Sequence, residues 1–178
     1  MTGSSLESLE SLVAAQKSQP GRTLLIWLGK GWPYLEGSDV ELSTKGANAM
    51  FRHVVWLSTQ GREAHITLYN VNAPGTDQAL GTAFYYEHFL KGVDSAGNIN
   101  GGNAALQVLA IQSGGKVLNR SNDIADSISA CLDGVNAYYT LAFDAAPGRH
   151  PDEYHSLQVK IDKSNLTARM RTGYYAQP

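Results

Sequence analysis

Four side chains able to bind metal or move protons fall within six positions of the string "GRHPDEYH": His150, Asp152, Glu153 and His155. Imidazole and carboxylate groups are the donors that a borderline cation accepts. Gly148 and Pro151 are turn residues, however, and His155 opens an alternating apolar run, so the same string reads equally as a solvated hairpin turn. A second group follows the apolar run "TLLIWL" at 23–28, where Gly29-Lys30-Gly31 ends the run and Trp32-Pro33-Tyr34 resumes it. Two glycines after a strand resemble the start of a dinucleotide loop, but Tyr34 stands where the third glycine belongs, and Trp32-Pro33 obstructs a helix start beside phosphate. The expected feature is a tight turn that aims Trp32 and Tyr34 in a fixed direction, since proline sets its own φ and extends the residue before it. The third group is "FYYEHFLK", with Phe84, Tyr85, Tyr86, His88 and Phe89, inside a connection from Asn72 to Gly102. That connection is far longer than the roughly 4 to 6 residues usual between elements.

The elements that must position these groups follow from apolar spacing. Leu6, Leu9 and Val13 recur at helical spacing behind Ser4 and Ser5, which are expected to cap, and Pro20-Gly21 closes the segment. Residues 23–28 are apolar on both faces, as a strand in a helix-covered parallel sheet must be. Ala47, Met50, Phe51, Val54 and Val55 mark a second helix ending near Gly61, and "AHITLYNV" (64–71) a second strand. Leu106, Leu109 and Ala110 mark a third helix that stops at Gly114-Gly115, before the short strand "KVL". Ile124, Ile128, Cys131 and Val135 mark a fourth, with Asp123 and Asp126 in its first turn. The period then changes to two. Tyr139, Leu141 and Phe143, then Leu157, Val159 and Ile161, then Leu166, Ala168 and Met170 predict three strands of an antiparallel meander. The expectation is one domain over 1–178, with an alternating α/β part at 1–136 and an antiparallel β extension at 137–178.

In that arrangement the loops carrying Trp32, Tyr34 and the 84–89 aromatics leave the carboxyl ends of parallel strands, the edge where open α/β sheets bind ligands. Trp32, Tyr34, Tyr85, Tyr86 and His88 are therefore the candidate binding residues. The bland alternative is a short helix whose aromatics cover the sheet edge, and both readings can hold at once. The glycines and asparagines of "DSAGNINGGN" (94–103) favour mobility in the rest of the connection. His53 and His65 read as structural histidines.

Composition narrows the function classes. Fourteen basic and sixteen acidic residues in 178 give a net charge of −2, with no field to attract nucleic acid or an anionic membrane. Cys131 is the sole cysteine, which excludes an internal disulfide and a thiolate metal site. No apolar stretch reaches the roughly 18 residues of a spanning helix, and "MTGSSLESLESL" lacks the basic start and apolar middle of a signal peptide. There is no Gly-x-Ser-x-Gly elbow, Gly-x4-Gly-Lys-Ser/Thr loop or His-Glu-x-x-His helix, so the sequence offers no catalytic residue and no cofactor is expected.

Five strings taken together, "PGRTLLIWLGKGW", "AHITLYNV", "LAIQSGG", "SNDIADSI" and "TARMRTGYYA", resemble the acidobacterial von Willebrand factor A-related proteins in content and order. The resemblance implies a partial doubly wound parallel sheet, the second half of that domain, followed by C-terminal strands. It also implies a bacterial, secreted or periplasmic protein. A-type domains hold Mg²⁺ on an Asp-x-Ser-x-Ser loop, and none occurs here; Asp126-Ser127-Ile128-Ser129 has the wrong spacing and lies in a predicted helix. At the strand tip, Lys30 would repel a hard cation that needs oxygen ligands. The reading is a non-enzymatic protein-interaction module without the metal-dependent adhesion loop, with a protein partner and self-association through the first strand's edge. The alternative is a small-ligand-binding or enzymatic domain with its site at the strand carboxyl ends.

Overall fold

A computed structural model describes residues 2–29, 31, 43–72, 86–87, 93–100, 102–119, 123–133, 135 and 137–178. Helix α1 (Thr2–Gln16) leads into strand β1 (Thr23–Leu28), helix α2 (Thr44–Glu63) and strand β2 (Ile66–Val71). Helix α3 (Leu106–Gln112), strand β3 (Val117–Leu118) and helix α4 (Ile124–Leu132) follow, then strands β4 (Glu153–Ser156) and β5 (Gly173–Ala176). The mixed α/β character expected from the alternation is present, as a three-stranded parallel sheet ordered β1-β2-β3 and a separate two-stranded antiparallel sheet.

All six residues of β2 are buried, Thr67 and Asn70 included, as a strand covered on both faces requires. Ile66 and Leu68 face α1, α2 and α3, in a cluster with Leu9, Val13, Met50, Val54 and Leu109. Tyr69 and Val71 face the other way, onto Cys131 of α4. β1 joins both layers, with Leu25 and Trp27 on the first and Leu24 and Ile26 on the second. Crossovers that keep α2 and α3 on one face while the sheet grows in one direction are what right-handed connections produce. Thr23 N donates to His65 O (3.1 Å) and Gly29 N to Val71 O (2.9 Å), so the odd-numbered backbone groups of β1 point at β2. By the same parity those of Leu24, Ile26 and Leu28 point to the opposite edge, where no strand pairs among the described residues.

Several boundaries differ from expectation, each for a local reason. Ser4 and Ser5 lie inside α1, which begins at Thr2, so they do not cap it. α2 runs past Gly61 to Glu63, its start capped by Ser43, whose side chain accepts from Gly46 N at 3.2 Å. β2 starts at Ile66 because His65 takes a left-handed backbone, φ 51°, that turns the chain from helix into strand. Asp123 is the N-cap of α4, accepting from Asp126 N at 3.0 Å, and α4 stops at Leu132, before Val135.

The largest difference lies in the extension. The three predicted strands at 139–143, 157–161 and 166–170 are not ladder strands; the antiparallel pair is instead β4 with β5. Glu153 pairs with Ala176 and Ser156 with Gly173, and Leu157 N donates to Thr172 O (2.8 Å) on the next rung. The same register projects Val159 opposite Met170 and Lys163 opposite Leu166, where Leu166 N donates to Lys163 O (3.3 Å) across a tight turn. Residues 157–172 therefore form a hairpin arm, paired at its base and closed at its tip, with an open ladder between. Alternation was read as pairing, but the middle of the arm has no layer to pack on, and Val159, Ile161 and Leu166 are exposed. Tyr139 is 93% exposed and Leu141 71%, so 139–143 is an extended surface segment.

β5 anchors the arm to the main core. Tyr175 meets Phe51 of α2 edge-on at 6.1 Å between ring centroids and Tyr154 at 5.2 Å, and its hydroxyl donates to Val93 O at 3.0 Å. Burial pushes the phenols of Tyr175, Tyr154 and Tyr86 upward, Tyr154 being partly restrained by its hydrogen bond to Thr172. A phenol whose folded pKa exceeds its unfolded value of about 10 stabilises the fold fully below that pH and loses the contribution as pH rises through the folded value. Arg171, pushed down to about 10, acts in the opposite direction over the same range, but it is one group against three. The expected result is stability that falls steeply above about pH 10, with tyrosinate absorbance rising in step with unfolding. Tyrosinate formation that precedes loss of structure would contradict it.

Candidate functional site

The carboxyl ends of β1 and β2 carry a cluster of amide side chains. Gly29 and Gly31 both have positive φ, 139° and 74°, in keeping with the tight turn expected after the strand. Glycine at position 31 has a second cause: a Cβ there would collide with the Gln107 side-chain amide, so Gly31 lies directly against α3. Asn70 is fully buried and its Nδ2 donates to Gly29 O (2.8 Å) and Trp27 O (3.4 Å), holding the end of β1 in place. Its Oδ1 is buried without a hydrogen-bond partner. Asn72, Asn103 and Gln107 are also buried.

The string "DSAGNINGGN" forms a hydrogen-bonded unit. Asn103 Oδ1 accepts from Asn100 N (2.9 Å) and its Nδ2 donates to Asn98 O (2.8 Å), while Asn100 Oδ1 accepts from Gly102 N (2.9 Å) and Asn103 N (3.1 Å). Short amide side chains that bond nearby backbone replace a regular element here, and Val93 and Ile99 anchor the unit in the core. Of the candidate binding residues, Trp32, Tyr34, Tyr85 and His88 lie outside the described residues. Tyr86 lies in the interior, 6% exposed.

The "GRHPDEYH" string resolves into a strand-borne row. Glu153 and His155 share a face of β4, and Tyr174 of β5 is directly opposite His155. Glu153 Oε1 lies 3.6 Å from His155 Nε2, and His155 Nδ1 lies 3.2 Å from Tyr174 Oη, a carboxylate–imidazole–phenol chain half-open to solvent. The backbone N–H of Arg149 donates to the Glu153 carboxylate and lowers its pKa, as do the adjacent His155, His150 and Arg149 charges. Asp152 accepts from Gln177 Nε2 (2.7 Å) in a left-handed backbone of φ 61°. Among the described residues no group of three or more His, Cys, Asp or Glu side chains is placed to hold a metal ion. His53 is exposed and faces Glu10 at 3.3 Å, and His65 is exposed at its turn, so neither is a core histidine. Cys131 is buried, which pushes its thiol upward and away from reactivity.

Sequence reasoning missed the arginines of "TARMRTG". Arg169 donates to Tyr69 Oη (3.1 Å) and lies over its ring at 5.5 Å on one side of the sheet. Arg171 donates to Gly61 O (3.0 Å) and Ile66 O on the other. The available signal was the i, i+2 spacing of two arginines in a run read as strand. No protein-family model, curated protein or solved structure matches this chain.

Proposed function

We propose that this chain is a non-enzymatic interaction module of von Willebrand A-related type, the second half of such a domain without its metal loop, that recruits a protein strand onto its C-terminal arm. The observation that carries the reading is the arm itself. Residues 157–172 hold a hairpin register with an open ladder and exposed Val159, Ile161 and Leu166, beside the exposed Tyr139, Leu141 and Phe143. Extended backbone with unpaired groups and alternating apolar side chains is the surface that strand addition uses. A second copy of the chain is the partner we assign, because like arms can pair about a two-fold axis, and the edge of β1 that no described strand pairs offers a similar self-complementary row. Val159→Lys with Ile161→Lys is expected to abolish self-association in sedimentation velocity while shifting the melting temperature by no more than about 1 to 2 °C, as exposed substitutions do. Wild-type chain that stays monomeric at high concentration, with arm amides that never gain exchange protection, would end this reading.

A second reading is a small-ligand domain at the strand carboxyl ends. It is favoured by the unpartnered Asn70 Oδ1 at the carboxyl end of β2, a buried acceptor that a donor-bearing ligand could satisfy.

A further inference from the structure

Arg171 closes a cavity of about 40 Å³ between α1, α2, α3 and the first face of the sheet, with Leu9, Val13, Leu57 and Leu109 among its walls. Its guanidinium spends Nη2 on the carbonyls of Gly61 and Ile66, and among the described residues no acceptor faces Nε or Nη1. Among the described residues no carboxylate forms an ion pair with it. The carboxyl end of α2 supplies partial negative charge, worth about half an elementary charge, so much of the cation is left unbalanced. Arg22 and Arg62 add charge of the same sign nearby.

Gln112 also lines this cavity. It is 6% exposed, and its Nε2 is buried without a hydrogen-bond partner. Its backbone carbonyl accepts from Thr172 N (3.2 Å), which fixes α3 against the residue following Arg171. Ser113 is committed elsewhere: Oγ accepts from Leu68 N (2.8 Å) and donates to Ala110 O (2.7 Å). The Gln112 Nε2 donor is thus left free in largely apolar walls beside a cation.

We infer that this cavity is a binding site for a small monovalent anion of chloride size, held between the Arg171 guanidinium and the Gln112 Nε2 amide. A single water needs about 10 to 15 Å³ of such space, so a cavity of about 40 Å³ has room for a small anion with a water beside it. A halide accepts from N–H and O–H donors alike, including the hydroxyl of Ser58, which also lines the cavity.

The test is thermal unfolding of the full chain at fixed ionic strength, with chloride replaced stepwise by gluconate, a far bulkier anion. Wild-type protein should show a saturating rise of about 3 to 6 °C with chloride, as a ligand selective for the folded state produces. Gln112→Leu should lose most of that rise. Gln112→Glu, which supplies the negative charge covalently, should be more stable than wild type in gluconate and indifferent to chloride. Chlorine NMR line broadening by wild-type protein, reduced in Gln112→Leu, gives a readout independent of how well either variant folds. Equal melting of wild type in both anions without excess line width overturns the site, and so does an equal chloride response in wild type and Gln112→Leu.

Discussion

Gly115→Ala should lower the melting temperature by roughly 6 to 12 °C, the shift expected for about 3 kcal/mol in a chain of this size. β3 is only two residues long and leaves the middle of β2 without a strand partner on that side. The gap is filled by the turn after α3, where Ser113 Oγ takes the Leu68 N–H and Lys116 O accepts from Asn70 N (2.9 Å). Gly115 lies between them, so close that an added Cβ falls well inside contact of the Leu68 carbonyl and 3.2 Å from Ala110 O. Both obstacles are backbone, and neither can rotate away. Gly61→Ala is the matched control. A Cβ there meets nothing within 4 Å, and alanine is about 0.5 to 1 kcal/mol better than glycine inside a helix. Urea unfolding should therefore separate the two variants in opposite directions from wild type. A Gly115→Ala chain as stable as wild type would mean that the turn after α3 is not held against β2.

Arg171→Met should cost about 3 kcal/mol, with the urea m-value unchanged. Methionine keeps an apolar stem in the cavity wall but leaves the carbonyls of Gly61 and Ile66 without their donor. Gly61 is among the last four residues of α2, whose carbonyls have no partner within the helix. The cost is mainly that of two stranded acceptors, each about 1 to 3 kcal/mol when buried. Arg171→Lys should recover part of it, since an ammonium can donate to either carbonyl but lacks the planar fork. A loss below about 1 kcal/mol in the methionine variant would show that water already serves those carbonyls.

The parallel layer was legible because its signal is local. Residues 23–28 are apolar on both faces, the pattern of a strand in a helix-covered sheet, and 64–71 is a short run of strand composition between two helical stripes. Gly114 read correctly as a helix end at positive φ, 86°. Gly115 was paired with it for the same reason, but its cause is close approach to β2, which no spacing reveals. The extension was misread because alternation specifies which side chains share a face and says nothing of whether a neighbouring strand pairs or a layer covers that face. Leu157 to Ile161 and Leu166 to Met170 have the pattern of strands, yet Val159, Ile161 and Leu166 lie exposed while Arg169 and Met170 turn back onto the main body, so the two runs do not pair as a sheet. Arg171 was invisible for a related reason. An arginine in an alternating run reads as a solvent-facing residue, and its acceptors lie 105 and 110 positions away. At the strand tips the glycines were legible as a turn, whereas the amides of Asn70 and Gln107 carried no spacing signal.

That separation also sets an order of events during synthesis. The helices and strands up to Leu118 can meet as soon as they leave the ribosome, while the residue that satisfies the end of α2 is made more than a hundred positions after Gly61. Contacts of such long range form slowly, because the closure entropy precedes any gain from them. The nascent layer therefore waits with an open cavity and two bare carbonyls until the arm folds back. The arm is thus the expected closing latch, and protease resistance of the nascent chain is expected to rise only once Arg171 has folded back onto Gly61 and Ile66.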